Sequence, residues 1–113
     1  MAPSSSIELH ASAREQLLLL ARSTLQHGLQ SAAPVQPVLD DVSPALCAIR
    51  AVFVTLTRQG KLRGCIGSLE ALAPLLWAVA DAAYGAGFRD PRFTPLQPHE
   101  LDDIHIEISV LSP

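Results

Sequence analysis

The sequence predicts an α+β fold, with an antiparallel sheet that carries its helices packed on one face, in the order helix, hairpin, helix, strand. Three patterns predict this fold. Apolar residues have helical spacing in residues 12–29 and 72–83. Two stretches rich in β-forming residues, 48–57 and 62–67, flank a glycine-containing turn. Residues 104–111 alternate apolar and polar side chains. The chain has 113 residues, of which 49% are hydrophobic and 17% charged, so it fits one domain with a single core.

Residues 1–11 are predicted to be a flexible N-terminal lead, and residues 12–113 the domain. The first helix should begin at Ser12, because Ser12 and Glu15 have the spacing of a capping box. It should end at Gly28, since glycine adopts the left-handed conformation of a helix end at little cost. The proline-rich stretch that follows is predicted to be a surface loop.

The three predicted strands sort their side chains between two faces. One set is apolar and should meet the helices to form the core: Val52, Val54, Leu56, Leu62, Ile66, Ile104, Ile106 and Ile108. The other set is mostly polar and should share the opposite face: Thr55, Arg63, Cys65, His105, Glu107 and Ser109. Residues that are remote in the sequence are therefore expected to meet on one surface.

The segment Leu62–Gly67 contains the strongest chemical signal of the chain. In an extended strand Arg63 and Cys65 would stand side by side, and a guanidinium beside a thiol favours the thiolate. The backbone N–H groups near Gly64 and Gly67 would then receive an anion. The alternative is that Cys65 is a buried packing residue, as cysteine often is in strands.

His105 and Glu107 are two residues apart on the last predicted strand, where a carboxylate can polarise an imidazole. A catalytic constellation of Cys65, His105 and Glu107 is one interpretation. A solvated strand face with an incidental His and Glu is the other.

Arg89, Asp90 and Arg92 flank a proline and can form a clamp for a carboxylate or phosphate. The competing interpretation is structural, with Asp90 pairing to Arg63 or Arg92 and holding the loop to the sheet. No metal site is predicted, because the cysteines and histidines lack a close ligand spacing, and no cofactor is predicted.

Charge is distributed unevenly along the chain, whose net charge is −3. Residues 50–92 hold six basic against three acidic side chains, so this segment can meet an anion. Nucleic-acid binding is not favoured, since aromatic residues are only 4% and no basic run interleaves with them. No segment is long and apolar enough for a membrane span, and no secretion signal is recognised. We therefore expect a cytoplasmic protein with reduced cysteines.

Four segments of the chain resemble the AMMECR family, named for the Alport syndrome and elliptocytosis chromosomal region. In order and spacing they are VFVTL at residues 52–56, LRGCIG at 62–67, DPRFTPL at 90–96 and IEISVL at 106–111. The similarity extends from about Ala13 onward. Family domains usually continue past the end of this chain, so the resemblance implies a partial domain whose last strand exposes an edge. Such an edge invites pairing with another chain, including a second copy.

The resemblance implies an α+β fold but no settled reaction. It also implies partners, because prokaryotic members look linked with a Memo-type protein and a radical S-adenosylmethionine enzyme. The leading hypothesis is a domain that binds a small anionic ligand, or a partner of that modification system, over the surface of Arg63 and Cys65. One alternative is an enzyme that uses Cys65 as a nucleophile or redox thiol. The other is a protein-interaction scaffold.

Overall fold

The structure is a computed structural model, and it describes residues 11–40 and 42–111. Its elements in chain order are helix α1 (Ala11–Ser31), helix α2 (Pro44–Cys47), strands β1 (Val52–Arg58) and β2 (Lys61–Gly67), helix α3 (Leu75–Phe88), a 3₁₀ helix (Pro98–Asp103) and strand β3 (Ile104–Val110). The predicted order of helix, hairpin, helix and strand is confirmed. Residues 1–10 of the predicted lead lie outside the described residues, and Ala11 already belongs to α1.

In the part of the chain that the structure describes, the sheet has three antiparallel strands in the order β2-β1-β3, so β1 is central. Helix α3 packs on β1 and β2, while α1 packs on α3 and reaches β3. One core joins the two long helices to the apolar side of every strand. On the opposite side of the sheet, the side chains of all three strands are half-buried or exposed. We call this second side the open face.

The predicted core is confirmed except at Leu62. Five of the predicted side chains are buried and two are partly buried against them: Val52, Val54, Leu56, Ile104 and Ile106, then Ile66 and Ile108. Leu62 is 44% exposed. The pairing of β1 with β2 shifts between Leu56 and Thr57, and this irregularity sets Leu62 opposite Thr57 of the open face. An extra residue in a strand changes the face of whatever precedes it.

Helix α1 differs from its prediction at both ends. Ser12 lies inside the helix, so it does not cap it. The helix also continues past Gly28 to Ser31, and Ala32 takes the positive φ of 54°. Gly28 is buried, and a Cβ there would collide with the Phe88 ring of α3. This glycine allows two helices to approach each other and does not end one.

Two further helices lie outside the two that the sequence predicts. Pro44 begins the short α2, whose Leu46 is buried. Pro98 begins the 3₁₀ helix, where Glu100 is buried at the third position and accepts a hydrogen bond from the backbone N–H of Gln97 over 2.9 Å. This second helix brings a carboxylate to the end of the sheet where β1 stops and where β2 and β3 start.

Candidate functional site

Cys65 lies on the open face, in a row of three residues that crosses the sheet. Its partner on β1 is Thr55, whose own partner on β3 is Glu107. The Cys65 Sγ and Thr55 Oγ1 atoms are 3.2 Å apart, within hydrogen-bonding distance for sulfur, and both side chains are half-buried. The thiol is therefore neither buried among aliphatic side chains nor fully exposed.

Arg63 is the extra residue at the irregularity of β2, since Leu56 pairs with Gly64 and Thr57 with Leu62. Its guanidinium makes a two-pronged contact with Glu100, with Nε to Oε2 at 2.8 Å and Nη2 to Oε1 at 3.0 Å. Nη2 also donates to the Thr94 carbonyl over 2.9 Å. Among the described residues, no hydrogen bond joins Arg63 to Cys65. Arg63 is thus a structural tie between β2 and the loop before β3.

Glu100 was not recognised in the sequence, although it is the acidic centre of this region. Its carboxylate also meets Arg58 at 3.5 Å, at the end of β1. The hydrogen bond from Arg63 and, to a smaller extent, the Gln97 N–H and the two positive charges lower the pKa of Glu100 to about 2, against the opposing effect of burial. The available signal was local: Pro98 at the first position of a helical turn, with a glutamate at the third.

Asp90 joins the loop after α3 to the edge of β2. Its side chain is 2% exposed, and its Oδ2 accepts the backbone N–H of Cys65 over 3.0 Å. Arg92 donates to both carboxylate oxygens, from Nη2 at 2.7 Å and from Nε at 3.0 Å. The Arg92 side chain, followed by the Cys65 N–H, holds the pKa of Asp90 well below its usual range. The structure thus brings Asp90 and Arg92 together at Cys65.

Arg92 supplies the positive charge near the thiol. Its pKa is raised chiefly by Asp90, and a thiolate at Cys65 contributes in the same direction. The Arg92 side chain is 56% exposed, whereas that of Arg63 is 11% exposed. Both guanidinium groups lie near the Phe93 ring, whose centroid is 5.4 Å from Arg92 and 6.0 Å from Arg63. We call Cys65, Thr55 and Arg92 the thiol surface.

The remaining predicted site residues are spread around this surface. Arg89 stacks on Tyr84, with its guanidinium carbon 4.8 Å from the ring centroid. Packing explains why glycine occupies positions 64 and 67. A Cβ on Gly64 would collide with the Ala86 carbonyl, and a Cβ on Gly67 would collide with Val52 and Phe53. Both glycines bring backbone closer than any side chain would allow.

His105 and Glu107 contact each other but not Cys65. The His105 Nε2 and Glu107 Oε1 atoms are 3.8 Å apart, and the two side chains are 70% and 67% exposed. They lie on β3 while Cys65 lies on β2, so two strand spacings, roughly 10 Å, separate them. Thr55 occupies the position between Cys65 and Glu107. Within the described part of the chain, no three His, Cys, Asp or Glu side chains lie together as a metal ion would require.

Known proteins are similar to this chain over most of its length. The AMMECR1 family model matches residues 18–113. The chain belongs to the AMMECR1 family. A protein of Methanothermobacter thermautotrophicus is 43% identical over 97 residues, which cover 86% of this chain and 50% of that protein. A protein of Methanococcoides burtonii is 40% identical over 104 residues, which cover 92% of this chain and 51% of that one.

A solved structure shows the same fold as this AMMECR1 chain. The crystal structure of an uncharacterised protein from Pyrococcus horikoshii superposes with a TM-score of 0.86 at 35% sequence identity. The match covers 95% of this chain and 55% of the other. The chain therefore spans about half the length of the relatives it matches. In the described residues, no helix has the length and apolar character needed to cross a membrane.

Proposed function

We propose that this AMMECR1 domain is a binding module whose thiol surface takes a small anionic ligand. The observation that carries the proposal is the position of Arg92, an exposed guanidinium that binds Asp90, which in turn binds the backbone N–H of the half-buried Cys65. Cys65 lies on the open face, against which no helix of residues 11–40 and 42–111 packs. A guanidinium is always charged and presents donors in a planar fork that fits carboxylate and phosphate groups.

The hydrogen bonds of Arg92 and Asp90 leave donors for such a ligand. Arg92 uses Nε and Nη2 on Asp90, and its Nη1 has no hydrogen-bond partner within the described residues. Asp90 in turn accepts bonds from Arg92 and from the Cys65 N–H, which hold its carboxylate away from an incoming anion. Arg63 is 11% exposed, and with Glu100 it positions the loop that carries Arg92, so the proposal assigns the accessible donors to Arg92.

The proposal is tested by labelling Cys65 with two reagents of similar size, anionic iodoacetate and neutral iodoacetamide. A Cys47→Ser background removes the second thiol. A positive charge at the site raises the rate at which iodoacetate alkylates Cys65 relative to the rate with iodoacetamide. Arg92→Gln should lower the ratio of these two rates several-fold. Arg14→Gln is the matched control, because Arg14 is exposed on α1 far along the chain from the site.

Ligand capture is measured in the same assay as protection. Phosphate, sulfate and citrate are titrated at constant ionic strength, and at least one should slow Cys65 labelling with saturation in the wild type and less so in Arg92→Gln. An unchanged reagent ratio in Arg92→Gln, together with no saturable protection by any of the three anions, would remove the proposal.

The second candidate function is an enzyme that uses Cys65 covalently, and the 3.2 Å contact between the Thr55 hydroxyl and the Cys65 sulfur favours it, because this hydroxyl can donate once the sulfur is ionised. A hydroxyl that donates to a thiolate stabilises it. The test is the rate with neutral iodoacetamide, compared between single-cysteine variants that keep Cys65 or Cys47. A Cys65 that reacts no faster than Cys47 contradicts the enzyme proposal and leaves the anion-binding proposal standing.

The binding module is also proposed to serve a modification system, with a Memo-type protein and a radical S-adenosylmethionine enzyme as partners. The support is membership of the AMMECR1 family, whose model matches residues 18–113 and so spans the three residues of the thiol surface. Purified Memo-type protein is titrated by calorimetry against wild type and Arg92→Glu. The radical S-adenosylmethionine enzyme is titrated in the same way. Binding that is lost in Arg92→Glu and kept in Arg14→Glu supports docking at this surface, and no heat from either partner with the wild type contradicts it.

A further inference from the structure

A pocket of about 420 Å³ opens at the other end of the sheet from Glu100. Its walls come from the loop at residues 34–37, the start of β1, the end of β2 with the loop that follows, and the first two turns of α3. The volume is in the range of small-molecule sites. Cys65, Thr55 and Arg92 do not line it, so the pocket is separate from the thiol surface.

Most side chains that line the pocket are apolar, among them Val35, Ile66, Leu72, Trp77 and Ala78. The Trp77 indole N–H donates to the Pro37 carbonyl over 2.8 Å and so joins α3 to the loop at residues 34–37. Leu72 and Trp77 nevertheless remain 72% and 49% exposed. Apolar side chains that gather around a concave opening are typical of a binding site.

Arg50 gives this apolar pocket a positive group that makes no ion pair among the described residues. Its backbone N–H reaches the Ala73 carbonyl at 3.4 Å, and Nη1 donates to the Ile49 carbonyl over 2.8 Å. Its Nε is buried and has no hydrogen-bond partner among the described residues. The Nη2 atom also lacks a hydrogen-bond partner in this part of the chain and, unlike Nε, is not buried, so a carboxylate of a bound molecule can reach it.

Two carboxylates also line the pocket, and they restrict which ligand fits. Asp81 follows Trp77 by one helical turn on the same side of α3, and Glu70 lies in the loop after β2. Neither makes an ion pair with Arg50 within the described parts of the chain. One cation and two carboxylates disfavour a dianion, and they suit a molecule that carries a carboxylate and an ammonium group.

We propose that the pocket binds a hydrophobic amino acid as a free zwitterion. The ligand carboxylate meets Arg50, its ammonium group meets Asp81 or Glu70, and its apolar side chain packs against Ile66, Ala78 and Trp77. This inference concerns a second site and does not depend on anion binding at the thiol surface.

The test uses Trp77, which is the single tryptophan of the sequence and so reports directly on the pocket. Fluorescence titrations compare three molecules with the same branched body: L-leucine, 4-methylpentanoate without the ammonium group, and 3-methylbutylamine without the carboxylate. L-leucine should bind with saturation, and each single-charge analogue at least tenfold more weakly. Calorimetry repeats each titration, in case the indole emission does not respond.

Variants of the protein test whether Arg50 contacts the carboxylate of the ligand and not its ammonium group. Arg50→Gln should weaken L-leucine and 4-methylpentanoate at least tenfold and leave 3-methylbutylamine unchanged, while Arg14→Gln behaves as wild type. Ala78→Met fills the pocket and should abolish binding of all three. No saturable binding by either method, an analogue that equals L-leucine, or an unchanged affinity in Arg50→Gln would each overturn the proposal. The ratio of the two labelling rates at Cys65 should not change in Arg50→Gln, so failure here is distinct from failure at the thiol surface.

Discussion

Glu100 is the residue on which the end of the sheet depends most. Its side chain is 9% exposed, and it meets Arg63 in a two-pronged contact and Arg58 at longer distance. Removing one partner of such a pair leaves a nearly buried guanidinium without its counter-charge, whose cost exceeds that of breaking an exposed pair.

Glu100→Gln should therefore lower the free energy of unfolding by about 2 kcal/mol, because an amide keeps the shape but loses the charge that strengthens both hydrogen bonds. Asp103→Asn is the control: its contact with Arg58 is 3.4 Å long and exposed, so its loss should cost less than about 1 kcal/mol. Urea unfolding at neutral pH measures both. Equal losses in the two variants would contradict the central role of Glu100.

The pH dependence of stability should report the same group. The pKa of Glu100 is about 2 in the folded chain and 4.5 for an ordinary glutamate, so the carboxylate stabilises the fold fully above the unfolded value. That contribution is lost as the pH falls toward 2. The difference in unfolding free energy between wild type and Glu100→Gln should accordingly shrink between pH 5 and about pH 2.5. A difference that stays constant with pH would show that the pKa of Glu100 is not lowered in the folded chain.

At the scale of elements, the packing of α1 on α3 depends on Gly28. A Cβ at this position would overlap the Phe88 ring, with the ring Cζ atom at 2.9 Å. The side chain of Phe88 also stacks on Tyr84, with ring centroids 5.0 Å apart, which limits its freedom to move away. The close approach of the helices is therefore made possible by one missing methyl group.

Gly28→Ala should destabilise the protein by about 1 to 3 kcal/mol, although alanine is intrinsically the better helix former by about 1 kcal/mol. In a Phe88→Ala background the collision is gone, and the same change should become neutral or stabilising. Thermal or urea unfolding of the four proteins in this double-mutant cycle measures the coupling. A stabilising Gly28→Ala in the wild-type background would show that the glycine has no packing role.

The elements that were predicted correctly have a strong apolar periodicity and turn-forming residues at their ends. The alternation in β1 and β3 identifies the core face, and the glycine turn identifies the hairpin. The structure differs from the prediction where the conformation or the face of a residue depends on features that are not visible in the local sequence. Gly28 could not be distinguished from a helix end, because the ring that requires it belongs to residue 88. Leu62 changed face through a strand irregularity, to which binary patterning is insensitive.

The candidate site was predictable in its members and less so in their pairing. Arg63, Cys65, Asp90 and Arg92 were all identified from residue chemistry, and Asp90 does join Arg92. The partner of Arg63 was missed, since Glu100 is 37 residues away and no local pattern connects the two. As a result, the exposed positive charge at the thiol belongs to Arg92. Which charges pair depends on contacts between segments remote in the sequence, and spacing along a strand does not determine those contacts.

At the scale of the whole molecule, the two edge strands of the sheet differ in whether their outward backbone groups have hydrogen-bond partners among the described residues. On β2 the outward N–H of Cys65 is bound by Asp90. On β3 the Leu111 N–H points inward to the Ala51 carbonyl, so by alternation the backbone groups of Ile104, Ile106 and Ile108 point outward. Arg22 binds the Ile104 carbonyl at 2.7 Å, but no hydrogen bond reaches the outward groups of Ile106 and Ile108 within the described residues. An edge of this kind is a template for another strand.

We expect two copies of this chain to pair through β3, in antiparallel register centred on Ile106. That register sets His105 of each copy opposite Glu107 of the other, whereas a register centred on Glu107 would oppose two carboxylates. His105→Glu should abolish the association, because it sets two carboxylates opposite each other. The exchange His105→Glu/Glu107→His should restore it, because a glutamate at position 105 then faces a histidine at position 107 of the other copy. Both side chains are exposed in the single chain, so these variants leave its fold intact, and urea unfolding checks this. Sedimentation velocity from micromolar to millimolar concentration gives the readout. A wild-type chain that stays monomeric throughout, or an exchange variant as monomeric as His105→Glu, rules this pairing out.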